Sequence, residues 1–108
     1  MNNTEFDICF HRNMQGIEFE KAGNIEEAMV LYELNVSAKF VGSHPYDRLA
    51  KYYHARKDYK DEIRVIETYF STFPPEQLEA ELQSSGKIIQ FNKRLQKAKE
   101  LASKSQQG

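Results

Sequence analysis

A chain of 108 residues with formal net charge -1, 40% hydrophobic and 29% charged residues fits one thin, helical, surface-rich domain better than a sphere with a deep core. A total charge this close to zero gives no reason to expect nucleic acid or a membrane surface as partner. No run of about 18 apolar residues could span a bilayer, the polar start MNNTEFD lacks signal-peptide features, and the single Cys9 excludes an internal disulfide, so a soluble cytoplasmic protein is expected.

Thr4 is the first expected helix N-cap, with Asp7 in the capping-box position. From there to Ala22, Phe6, Phe10, Ile17 and Phe19 follow a helical period. Gly23 supplies the left-handed residue that closes a helix. Asn24 is expected to cap the next helix, with Glu27 as its reciprocal partner. This second helix runs to about Ala38, with Ile25, Ala28, Met29, Tyr32 and Val36 inward. The tract from Lys39 to Gly42 breaks the pattern. Ser43 or His44 caps a third helix with Pro45 in its first turn, and Tyr46, Leu49, Ala50 and Tyr53 share one face. Arg56 and Lys57 suit its C-terminal end. Asp58 caps the fourth helix, with Asp61 in the partner position. Its buried face is Tyr59, Ile63, Ile66, Tyr69 and Phe70, and Phe73-Pro74-Pro75 ends it. Residues 76–83 read as a short helix with Leu78 and Leu82 inward, and Ser84-Ser85-Gly86 as a breaker. Residues 87–104 read as a last helix with an apolar stripe of Ile88, Phe91, Leu95, Ala98 and Ala102. Lys93, Arg94, Lys97 and Lys104 make its opposite face basic, and residues 105–108 read as a frayed tail.

The stretch from Gly16 to Tyr32 returns about 34 residues later, a spacing typical of helical repeats. Gly16 meets Ala50, Phe19 meets Tyr53, Ile25 meets Tyr59, Glu27 meets Asp61, Met29 meets Ile63 and Tyr32 meets Ile66. Both units resemble the tetratricopeptide repeat. The first supplies Arg12, Gln15, Gly16, Phe19, Ala28 and Tyr32; the second supplies Tyr46, Leu49, Ala50, Tyr53, Glu62, Ile66 and Pro74. Arg12 and Gln15 match poorly, Glu62 replaces a small residue, and Phe40 stands where a closing proline is usual. The stretch from Gly42 to Glu67 is also similar to small bacterial tetratricopeptide proteins. The resemblance implies an all-α single domain over 1–108: two tandem helical hairpins (about 9–42 and 43–76) and a C-terminal capping helix (about 87–104). Two units are fewer than the three usually needed to bury a continuous core. The last helix, or a second copy of the chain, is expected to cover the outer face of the second unit.

Catalytic and metal motifs are missing. His11, His44 and His54 fall in no HExxH, there is no CxxC, and Gly16, Gly23 and Gly42 form no phosphate loop. Cys9, beside Phe10, reads as a small buried hydrophobe. No catalytic residue, metal or cofactor is therefore expected. His44, Asp47, Lys51 and His54 follow a three-four-three spacing on one face of the third helix; Phe10, Asn13, Ile17 and Glu20 hold the equivalent places on the first. The resemblance implies that these eight residues line an inner wall that binds a peptide or helix of a partner protein. Phe10 and Ile17 would offer apolar contact, and the polar residues would orient the partner. An ordinary solvated helix face fits the same stripe. The Lys, Asn and Arg set of a carboxylate clamp over three repeats is not found. The expected function is a non-catalytic interaction module, with a self-assembling homo-oligomer as the alternative. The acidic first part (Glu18, Glu20, Glu26, Glu27, Glu33) and the basic last helix fit head-to-tail protomers or plain solvation. A basic helix can also touch RNA or anionic lipid, but the composition is not that of a nucleic-acid module.

Overall fold

Local turn chemistry sets the path of the chain. The computed structural model describes residues 1–107, and six helices occur among them. They are α1 (Asn3–Lys21), α2 (Ile25–Ser37), α3 (His44–Ala55), α4 (Tyr59–Ser71), α5 (Pro75–Ser84) and α6 (Gly86–Gln107). No strand is found among the described residues, so the all-α expectation holds. No helix is long and apolar enough to cross a membrane among those residues.

Three turns are built alike. Gly23, Lys39 and Lys57 each take a left-handed φ, of 80°, 55° and 59°. In each turn the next N–H reaches back five residues: Asn24 to the Phe19 carbonyl, Phe40 to that of Asn35, and Asp58 to that of Tyr53. This is the Schellman closure, which satisfies carbonyls left over at a helix end.

The caps differ in part from expectation. Asn2, not Thr4, begins α1: its side chain accepts from the Glu5 N–H at 2.8 Å, and the Glu5 carboxylate accepts from the Asn2 N–H. Asp58 accepts from the Asp61 N–H, as expected. Asn24 sits at the N-cap of α2 without a side-chain hydrogen bond. Glu27 cannot complete a box there, because the Asn24 N–H is already donated to Phe19. Ser43 is the N-cap of α3. Only Ser85 separates α5 from α6, and its Oγ accepts from the Ile88 N–H; Gly86 is already helical. The helix continues through residues 105–107, where a frayed tail was expected; Gly108 lies outside the described residues.

α1 packs on α2, α3 on α4, and α2 against α3. Tyr32, Tyr46, Leu49 and Ile66 are fully buried between them. Gly16 lets the Tyr32 ring lie against the α1 backbone, since a Cβ there would stand 2.5 Å from Tyr32 Cε1. α6 lies on α4 of its own chain, burying Ile88, Phe91, Leu95 and Ala98. The Tyr69 ring sits between Tyr46 and Phe91, at 4.8 Å from each, a separation suited to offset aromatic contact.

α2 also buries a polar residue that its apolar stripe does not announce. Asn35 is fully enclosed; its Nδ2 donates to the Cys9 carbonyl and to Asn13 Oδ1, both at 2.8 Å. Asn35→Ala would strip buried Asn13 of its donor and leave a void, so a loss of about 2–3 kcal/mol is expected. Urea unfolding checks this; a loss below about 0.5 kcal/mol, the range of neutral surface changes, would mean that the bonds contribute nothing.

Candidate binding groove

The helical period and the contacts to Arg48 and Tyr52 place Glu20 on the side of α1 that faces α3. Likewise the period places Asp47 and His54 on the side of α3 that faces α6. Two ion pairs stitch these helices together. Glu20 accepts from Arg48 Nε at 2.9 Å and from Nη2 at 2.6 Å. Asp47 Oδ1 accepts from Arg94 Nη1 at 2.7 Å. The same guanidinium donates to the Asp47 carbonyl at 3.2 Å and lies 4.9 Å from the Phe91 ring centre. Arg94 thus carries both charge pairing and packing.

Glu20 is the hub of the wall. Tyr32 donates to it at 2.5 Å, and Tyr52 also donates to it. Burial alone would raise the Glu20 pKa. The hydrogen bonds from Arg48, Tyr32 and Tyr52, with the Arg48 charge, outweigh burial and hold it below the usual value. Tyr32 O–H is committed to Glu20, so its oxygen is free to accept from His44 Nε2, 3.2 Å away. Burial holds the His44 pKa below the ordinary histidine value.

A cleft of about 560 Å³ opens between α3, α4 and α6. α3 contributes Asp47, Arg48, Lys51 and His54; α4 contributes Glu62; α6 contributes Lys93, Arg94 and Lys97. Glu62 is 1% exposed, and His54 Nδ1 lies 2.9 Å from its carboxylate. His54 thus gives the buried Glu62 carboxylate a hydrogen-bonding partner. Five permanent cations line the cleft against two carboxylates. Lys51 and Lys93 have no ion-pair partner among the described residues, and Lys97 reaches only Glu100, at 3.8 Å. The cleft therefore carries uncompensated positive charge, suited to carboxylates.

Of the eight residues expected on one wall, the cleft gathers Asp47, Lys51 and His54. Glu20 and His44 belong to the adjoining network around Tyr32. Ile17 is half-buried on α1. Phe10 is exposed and stacks on Phe6, with ring centres 6.4 Å apart, away from the cleft. Asn13 is corrected: it is 7% exposed and turned inward to Asn35, so it cannot meet a partner. Arg48, Glu62 and the three α6 residues complete the cleft and were not foreseen as part of it. Their one signal was the basic face of the last helix, which sequence alone does not connect to α3. Comparison with protein-family models, curated proteins and solved structures returns no match.

Proposed function

We propose that this chain is a non-catalytic, tetratricopeptide-like interaction module. It holds a segment of a partner protein on its inner wall, with acidic side chains of that segment in the cleft between α3 and α6. The observation that carries this reading is the charge left over in the cleft. Glu20 and Asp47 already answer Arg48 and Arg94, while Lys51, Lys93 and Lys97 are open to a ligand. The repeat-like reading draws support from Gly16 and Ala50, 34 apart and both buried, and from left-handed turns at Gly23 and Lys57 with the same spacing. A protein segment is favoured over nucleic acid because no aromatic ring lines the cleft to stack a base.

Selection from a displayed peptide library should enrich segments rich in Asp and Glu. The selected peptide should lose about tenfold or more in affinity for the double variant Lys51→Glu, Lys97→Glu. Both side chains are exposed, so helicity should be unchanged. Affinity should also fall as salt rises. Undiminished affinity in the folded double variant would contradict the proposal.

A further inference from the structure

The large hydrophobic residues left exposed are concentrated in one part of the chain. All eight of them among the described residues lie within the first 41 positions. α1 carries the ordered part of this surface. Asp7, Phe10, Met14, Ile17 and Lys21 are spaced three, four, three and four, the seam of a helix that pairs with another helix. Phe10 is 48% and Met14 46% exposed, so the folded chain does not fill the seam. Phe6 widens it by stacking on Phe10. The ends carry opposite charges. Asp7 has no ion-pair partner among the described residues, and Lys21 meets only Glu18 at 3.4 Å, with both side chains mostly in solvent.

We propose that a second copy of this chain covers the seam, its α1 antiparallel to the first and related to it by a two-fold axis at Met14. The charge pattern selects both occupant and direction. In the antiparallel pair, Asp7 of each copy faces Lys21 of the other, so the complementary contact forms twice. Phe10 of one copy lies beside Ile17 of the other, and the two Met14 side chains meet. Parallel pairing would set Asp7 on Asp7 and Lys21 on Lys21, which costs free energy at both ends. A two-fold contact of one surface with itself closes at two copies. It uses none of the residues of the cleft between α3 and α6, and it assigns Phe10 and Ile17, expected on the inner wall, to the dimer contact instead of the peptide.

The test is light scattering of the full chain from micromolar to millimolar concentration, with charge reversals. The mass should rise to that of a dimer. Asp7→Lys or Lys21→Asp alone should raise the dissociation constant about tenfold or more, and the double variant Asp7→Lys, Lys21→Asp should restore it. The double swap places the wrong charge at both ends of α1 and so weakens the isolated helix. Restored dimerisation therefore cannot come from better folding of α1. Met14→Cys should form an intermolecular disulfide under mild oxidation, since the native Cys9 is buried. A monomer at every concentration would overturn the proposal. So would a dimer indifferent to both single reversals, or one that Met14→Cys fails to cross-link.

Discussion

Gly16→Leu is expected to lower the melting temperature by more than about 10 °C, equivalent to about 3 kcal/mol in a domain of this size. Even the first added carbon has no room. A Cβ at this position would stand 2.5 Å from Cε1 and 2.7 Å from Cζ of Tyr32. The ring cannot swing aside, because it is fully buried and its hydroxyl is held by Glu20 and His44. α1 and α2 would have to separate, and α2 is the helix on which α1 chiefly packs. Gly16→Ala isolates the effect. Helix propensity favours alanine over glycine by about 1 kcal/mol, so a net loss there measures the collision. Gly86→Ala is the control, since nothing lies within 4 Å of its added carbon; it should be neutral or stabilising. Thermal unfolding followed by circular dichroism orders the set. A Gly16→Ala variant as stable as Gly86→Ala would show that the two helices do not meet this way.

Glu20→Gln should cost about 1–3 kcal/mol at neutral pH, because Arg48 loses its counter-charge in a half-buried place. Two tyrosine hydroxyls would also compete for one amide oxygen. The pH dependence is the sharper check. Burial pushes the carboxyl up, but Arg48 and the two tyrosines hold its folded pKa below the ordinary 4.5. A depressed folded value means that the charged form favours folding. The advantage of the native protein over Glu20→Gln is complete above the unfolded value. It fades as pH falls through the folded value. A difference that stays constant from neutral pH into the acid range would remove Glu20 from its role as the hub.

Features that depend on near neighbours in the chain were legible in the sequence. Gly23 needed only its own missing side chain, and Asp58 only its distance from Asp61. The apolar stripe of α3 followed from the helical period, with Tyr46 and Leu49 fully buried. On α4 Ile66 and Tyr69 are buried as expected, but Tyr59, Ile63 and Phe70 are only half-buried, and the fully buried Val65 was not foreseen. The two units differ at Arg12 and Gln15 for a physical reason. The residues 34 positions on, Tyr46 and Leu49, are sealed in the core, whereas Gln15 is exposed and Arg12 half-exposed, so polar side chains are tolerated there. Lys39 and Lys57 hid their left-handed turns, because lysine carries no such preference. Asn35 and Glu62 escaped for a related reason. A buried polar residue is recognised by its partner, and Asn13 and His54 lie across a turn from them. The cleft was beyond reach. Lys51 and Lys97 stand far apart in the chain, and they face each other only because α5 returns the chain and Phe91 docks on Tyr69.

The most direct test of the binding reading is a nuclear magnetic resonance titration of the labelled chain with the selected acidic peptide. Amide signals of Lys51 and His54 on α3 and of Lys93 and Lys97 on α6 should move together and saturate at one peptide per chain. Shifts confined to α1 and α2, with α3 and α6 unmoved, would contradict the account and place the partner elsewhere.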